Sequence, residues 1–173
     1  MSTALAFNPL DLSVKDSRTW LFTGAFVTGN LILPQLCHLI PTGGLIFLPI
    51  YFFTLIAAYK FGLKVGLMTA IFSPLINSWL FGMPLPAMLP VILVKSCLLA
   101  VAAAMIARKS RRISLMLIAL VILSYQLLGG LAEWIICSDV SAALQDFRLG
   151  FPGMFLQLIG GWMVLKAMAA YER

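Results

Sequence analysis

The chain has 173 residues, 62% of them apolar and 10% charged, with a formal net charge of +6. An ordinary soluble domain is roughly 45–50% apolar and about 25% charged. This composition excludes a disordered chain, a nucleic-acid-binding module and a cytosolic enzyme, and points to an all-α integral membrane protein.

Residues 1–18 read as a cytoplasmic segment ahead of the first span. The first positive charge is Lys15. A basic stretch before an apolar run is therefore missing, and no cleavable signal peptide is expected. The segment is amphipathic at best, and a short interfacial helix is one reading of it.

A helix crossing ~30 Å of hydrocarbon needs about 20 residues. Six runs meet this: 19–33, with Pro34 as a kink or stop or the run extending to 40, then 44–59, 65–81, 85–107, 113–137 and 151–170. The loops between them are short, so 1–173 reads as a single transmembrane domain, a compact bundle of six helices. Cys37, Cys97 and Cys137 form no CxxC pair and suggest neither a disulfide framework nor a metal site.

Orientation follows the Lys/Arg bias. Lys15 and Arg18 precede the first span. Lys60 and Lys64 join spans two and three; Arg108, Lys109, Arg111 and Arg112 join spans four and five; Lys166 and Arg173 come last. Ten of the twelve basic residues thus share one side. The opposite loops carry Arg148 with Asp139 and Asp146. Both termini are expected in the cytoplasm, and the protein in the cytoplasmic (inner) membrane.

Span one carries small residues four apart: Gly24 with Thr28, and Ala25 with Gly29. This spacing lets helices approach closely. It serves either packing inside the bundle or docking of another membrane protein. Ala100, Ala103, Ala104 and Ala107 repeat the pattern in span four.

Polar groups inside a span are costly and usually functional. Lys95 lies about ten residues into span four, where a lysine costs about 2.5–3.5 kcal/mol on an insertion scale. Glu133, one turn from the outer end of span five, is the acid well inside a span. The two either pair with each other or bind a ligand group of opposite charge. A carboxylate or phosphate against Lys95 is the concrete expectation. Asn77, Gln126, Gln157, His38 and Tyr51 place further polar groups in the outer half, as an outward-facing polar pocket requires. Trp79 fits an interfacial belt.

Catalytic motifs are missing. One histidine cannot supply a multi-histidine metal site, and no HExxH, GxSxG or P-loop occurs. The chain reads as a non-enzyme with no cofactor and no resident metal.

The stretch 38–108 reads HLIPTGGLIFLPIYFFTLIAAYKFGLKVGLMTAIFSPLINSWLFGMPLPAMLPVILVK…ARK. Its histidine before a Pro/Gly loop, its FLP opening span two, FGLKVGL turn, SPL and GMP loop resemble the S components of energy-coupling factor (ECF) vitamin transporters. The resemblance implies a substrate-binding subunit that captures a vitamin or related micronutrient from outside. It implies a transmembrane coupling protein and two cytoplasmic ATPase subunits as partners, in the lipid bilayer and without nucleic acid. It places docking at Gly24, Ala25, Thr28 and Gly29. It places substrate at Lys95, Glu133, Gln126, Gln157, Asn77 and the segment from His38 to Gly44. Tyr51 stands where many relatives carry a histidine. The Met-His start of nickel and cobalt members is replaced by MSTALAF, which argues against those ions as cargo. Folate-like, cobalamin-like and deazapurine-like ligands stay open, and Cys37, Cys97 and His38 are the residues able to ligate a corrinoid cobalt. The rival readings are a membrane scaffold without a small-molecule ligand and a small membrane enzyme.

Overall fold

A computed structural model describes residues 5–171; Arg173, counted above among the cytoplasmic charges, lies outside them. Six helices long and apolar enough to cross a membrane form the bundle. They are α1 (Ser17–Cys37), a broken span made of α2 (Gly43–Phe47), a 3-10 turn (Pro49–Tyr51) and α3 (Phe52–Phe61), then α4 (Leu63–Phe81), α5 (Leu89–Ser110), α6 (Leu115–Cys137) and α9 (Phe151–Tyr171). Two short helices, α7 (Val140–Ala143) and α8 (Gln145–Arg148), connect α6 to α9. The chain is a multi-pass membrane protein.

α3 is the centre. Thr54 through Phe61 are all buried, and α3 packs on α1, α4, α5 and α9. The outer faces of the other spans keep large apolar side chains exposed, among them Leu21, Leu120, Leu127, Phe155 and Met163. In water that surface would be prohibitive; in lipid tails it is the matching solvent. Trp79 is exposed near the end of α4, as a belt residue should be.

Helix ends follow local chemistry. Asp16 caps α1 by accepting from Arg18 N at 2.9 Å, and Ser114 caps α6 by accepting from Leu117 N at 3.2 Å. The run at 44–59 is broken because Leu48 adopts a left-handed conformation (φ +47°) ahead of Pro49. α5 starts at Leu89, four residues later than expected, because Pro84 and Pro86 keep the preceding segment from being helical. α1 runs through Pro34 to Cys37. The proline removes the N–H that would bond the Asn30 carbonyl, and Asn77 Nδ2 on α4 donates to that carbonyl instead, at 2.8 Å.

The amino-terminal segment is extended, with no interfacial helix among its described residues. Leu5–Ala6 pair antiparallel with Arg112–Ile113. Phe7 N donates to Arg111 O at 2.9 Å and Leu10 N to Lys60 O at 2.7 Å, which ties the segment across the α3–α4 and α5–α6 corners. Phe7 is buried in the main core. Lys60 is buried beneath this strap rather than in a loop; its Nζ donates to Asn8 O at 3.2 Å and lies 4.6 Å from the Phe7 ring centroid. Gly62 turns the chain between α3 and α4 at φ +91°, and a Cβ there would sit 3.0 Å from Asp11 Oδ1. This end carries the strap and the basic corners; we call it the basic end, and the opposite one the outer end.

Candidate functional site

The outer half of the bundle holds a buried ionic cluster. Lys95 Nζ on α5 donates to Glu133 Oε2 on α6 and, at 2.8 Å, to Asp146 Oδ2 on α8. Lys95 is 2% exposed and Glu133 4%. Because α5 begins at Leu89, Lys95 lies within two turns of the outer end, level with Glu133. It does not reach the membrane centre, as a start at residue 85 would have it. The two carboxylates hold its ammonium, which is the pairing alternative; a ligand carboxylate or phosphate against Lys95 would have to displace one of them.

A polar and aromatic layer adjoins the ions. Tyr51, in the 3-10 turn, is buried within electrostatic reach of Asp146 and Glu133. Its ring centroid lies 5.4 Å from that of Tyr125 on α6. Tyr125 Oη donates to Gln157 Oε1 on α9 at 3.0 Å. Gln157 Nε2 and both amide atoms of Gln126 are buried without a hydrogen-bond partner. Gln126 is seven residues from Glu133 and so shares its face of α6, two turns deeper. Buried amides without partners cost about 1–3 kcal/mol each, which marks this layer as unfinished by protein groups alone.

A second polar network lies on α1, α3 and α4. Asn30 Nδ2 donates to Thr54 Oγ1 at 3.0 Å and Ser73 Oγ at 3.1 Å, and Gln35 Nε2 donates to Asn77 Oδ1 at 3.3 Å. The structure therefore places Asn77 in a satisfied interhelical network, apart from Lys95. His38 ends α1 and is exposed. A Cβ on Gly44 would sit 2.6 Å from His38 Nε2, so the imidazole lies over the 38–44 loop and not in the ionic cluster.

The span-one small residues divide. Gly24, Ala25 and Thr28 are exposed on one outward strip, and a Cβ on Gly24 would meet nothing within 4 Å. Gly29 faces inward: its Cβ would sit 2.8 Å from the Phe53 ring. Gly29 thus packs against the Phe53 ring of α3, while Gly24, Ala25 and Thr28 form the outward strip.

Asp146 and Tyr125 are the site residues that the sequence reading did not assign. Asp146 sits in what reads as an outer loop, 51 positions from Lys95. The available signal was its place in a short amphipathic run, SAALQDF, between two spans.

A separate cavity of about 450 Å³ opens at the basic end, lined by Asn8, Asp11, Gly62, Arg108 and Arg111 among others. These residues belong to the strap and the corners, far along the bundle from Lys95. Among the described residues, no group of three His, Cys, Asp or Glu is placed to hold a metal ion.

Comparison of the chain with protein-family models, curated proteins and solved structures finds no match. The function therefore rests on the geometry and on the sequence resemblance.

Proposed function

We propose that the protein is a solute-binding membrane subunit of the ECF S-component type, taking up a vitamin or related micronutrient from the outer side. One observation carries this reading: α5, α6, α8, α9 and the 3-10 turn all bring buried polar side chains to the outer half of the bundle. Lys95, Glu133 and Asp146 meet near the outer end, Tyr51, Tyr125, Gln126 and Gln157 form the adjoining layer, and three amide atoms of that layer lack protein partners. Polar groups at membrane depth face a bundle interior or a ligand path, and unpartnered ones are free to bond a ligand or water.

In this reading the basic end faces the cytoplasm of the inner membrane, by the Lys/Arg bias. Substrate enters from the outer end, where α7 and α8 cover the ionic cluster. A transmembrane coupling protein packs on the exposed Gly24–Ala25–Thr28 strip, and two cytoplasmic ATPases drive transport. The chain performs no chemistry of its own.

The decisive experiment is native mass spectrometry of the gently purified protein, with identification of any co-purifying small molecule. A stoichiometric micronutrient is the expected result. A protein that is empty, and that a vitamin panel fails to stabilise thermally, overturns the reading. That outcome favours a scaffold, which the mutual pairing of Lys95, Glu133 and Asp146 already fits.

A further inference from the structure

The ionic cluster is unbalanced. One ammonium, Lys95, faces two carboxylates, Glu133 and Asp146, which leaves one formal negative charge. The side chains are 3%, 5% and 14% exposed. An uncompensated charge at such a site is expensive, because little water remains to solvate it, and it is relieved by a proton on one carboxylate or by a second cation. The other cation nearby in sequence does not help: Arg148, two residues from Asp146, is exposed and makes no ion pair among the described residues. His38 is exposed over the 38–44 loop.

The groups around the cluster have a matching character. Tyr51 and Tyr125 present two aromatic rings, 5.4 Å apart between centroids, in the buried layer that adjoins the cluster. Ring faces attract cations. Gln126, 1% exposed, offers an unpartnered donor and acceptor on the Glu133 face of α6. Gln157, fully buried, offers an unpartnered donor at the Tyr125 hydroxyl.

We infer that the ligand of this site is a small organic cation. Its protonated nitrogen pairs with Asp146 and Glu133 beside the Tyr51 and Tyr125 rings, and its neutral polar edge bonds the amides of Gln126 and Gln157. Two carboxylates and two amides suit an ammonium or amidinium better than a metal ion, which takes more oxygen ligands or softer ones. Entry requires α7 and α8 to move, since Asp146 is carried on that connection. The inference rests on the solute-binding reading and gives that reading its ligand class.

The test uses the purified full-length protein in detergent, with four probes matched in size: benzylammonium, benzamidinium, benzyl alcohol and benzoate. The readout is the shift in thermal midpoint against concentration, in the wild type and in Lys95→Gln and Asp146→Asn. The two cations are expected to stabilise the wild type at concentrations at which benzyl alcohol and benzoate do nothing. Asp146→Asn is expected to weaken the cations at least tenfold, and Lys95→Gln to strengthen them, because it removes a competing ammonium. The order of the probes in the wild type decides the matter even if a variant fails to fold. Stabilisation by benzoate, lost in Lys95→Gln, overturns the cationic class and leaves solute binding standing. Stabilisation by benzyl alcohol as strong as by the cations also overturns it. If no probe of any charge acts on any of the three proteins, both the cationic class and solute binding at this cluster fall.

Discussion

Lys95 crosses α6 at Gly129 so closely that a Cβ there would lie 2.6 Å from the lysine Cγ. The glycine is what lets the aliphatic stem pass the helix and deliver its ammonium to Glu133, one turn further on. Gly129→Ala is expected to push the stem aside and lower stability by about 1–3 kcal/mol, the usual cost of overpacking. Thermal unfolding in detergent measures it; an unchanged midpoint would show that the stem has room to shift.

The ion pairs themselves make a second prediction. Removing one partner from a buried pair costs about 3–5 kcal/mol, because the remaining charge stays behind unpaired. Lys95→Met strands two carboxylates and is expected to fall in that range. Adding Glu133→Gln and Asp146→Asn to it is expected to recover much of the loss. If the triple variant is less stable than Lys95→Met, the three groups are not coupled as the geometry has them.

Asp146 fastens the α7–α8 connection to the bundle at a single charged contact of 2.8 Å. Replacing its carboxylate by a neutral amide keeps the shape and loses most of the attraction. In Asp146→Asn, amide hydrogen exchange is expected to rise at least tenfold over 140–149 while α5 and the first half of α6 keep their protection. Equal exchange in the two proteins would mean that packing of Ala143 and Phe147, rather than the charge, holds the connection down.

Span one separates stability from assembly. Gly29→Leu must displace the Phe53 ring and is expected to destabilise the isolated protein by roughly 1 kcal/mol or more. Gly24→Leu meets open space and is expected to leave the thermal midpoint unchanged. In the proposed assembly, Gly24→Leu nonetheless abolishes co-purification with the coupling protein. Retention of the complex would move docking off this strip.

The six spans were legible because lipid leaves so few alternatives: a run of about 20 apolar residues has one stable way to satisfy its backbone. Their ends were less so. The break at Leu48 needed a left-handed residue beside Pro49, and periodicity says nothing about that. The late start of α5 was hinted at by Pro84 and Pro86. The pairing of Lys95 with Glu133 was an open choice in the sequence, since each is costly alone. Asp146 was hidden because it sits in a connection whose fold depends on the helices around it. The partners of Asn77 were hidden for a related reason. Its partner is the carbonyl that Pro34 frees on a different helix, and no spacing along α4 records that.

The strap at the amino terminus also sets an order of events in biosynthesis. Its first described residues find their partners at Arg112–Ile113, about a hundred positions downstream. At roughly 5–20 residues per second, the newborn segment waits on the order of five to twenty seconds for this strand partner, although Tyr59 and Lys60, which hold Phe7, Asn8 and Leu10, are made earlier. By then the residues of α1, α3, α4 and α5 have all been synthesised. Phe7 can therefore settle on Tyr59 and Lys60 before the strand that fixes the segment closes at Arg112–Ile113. A bulky fusion placed close ahead of Leu5 would meet this step during synthesis, and its penalty would appear as lost yield rather than as a weaker finished protein.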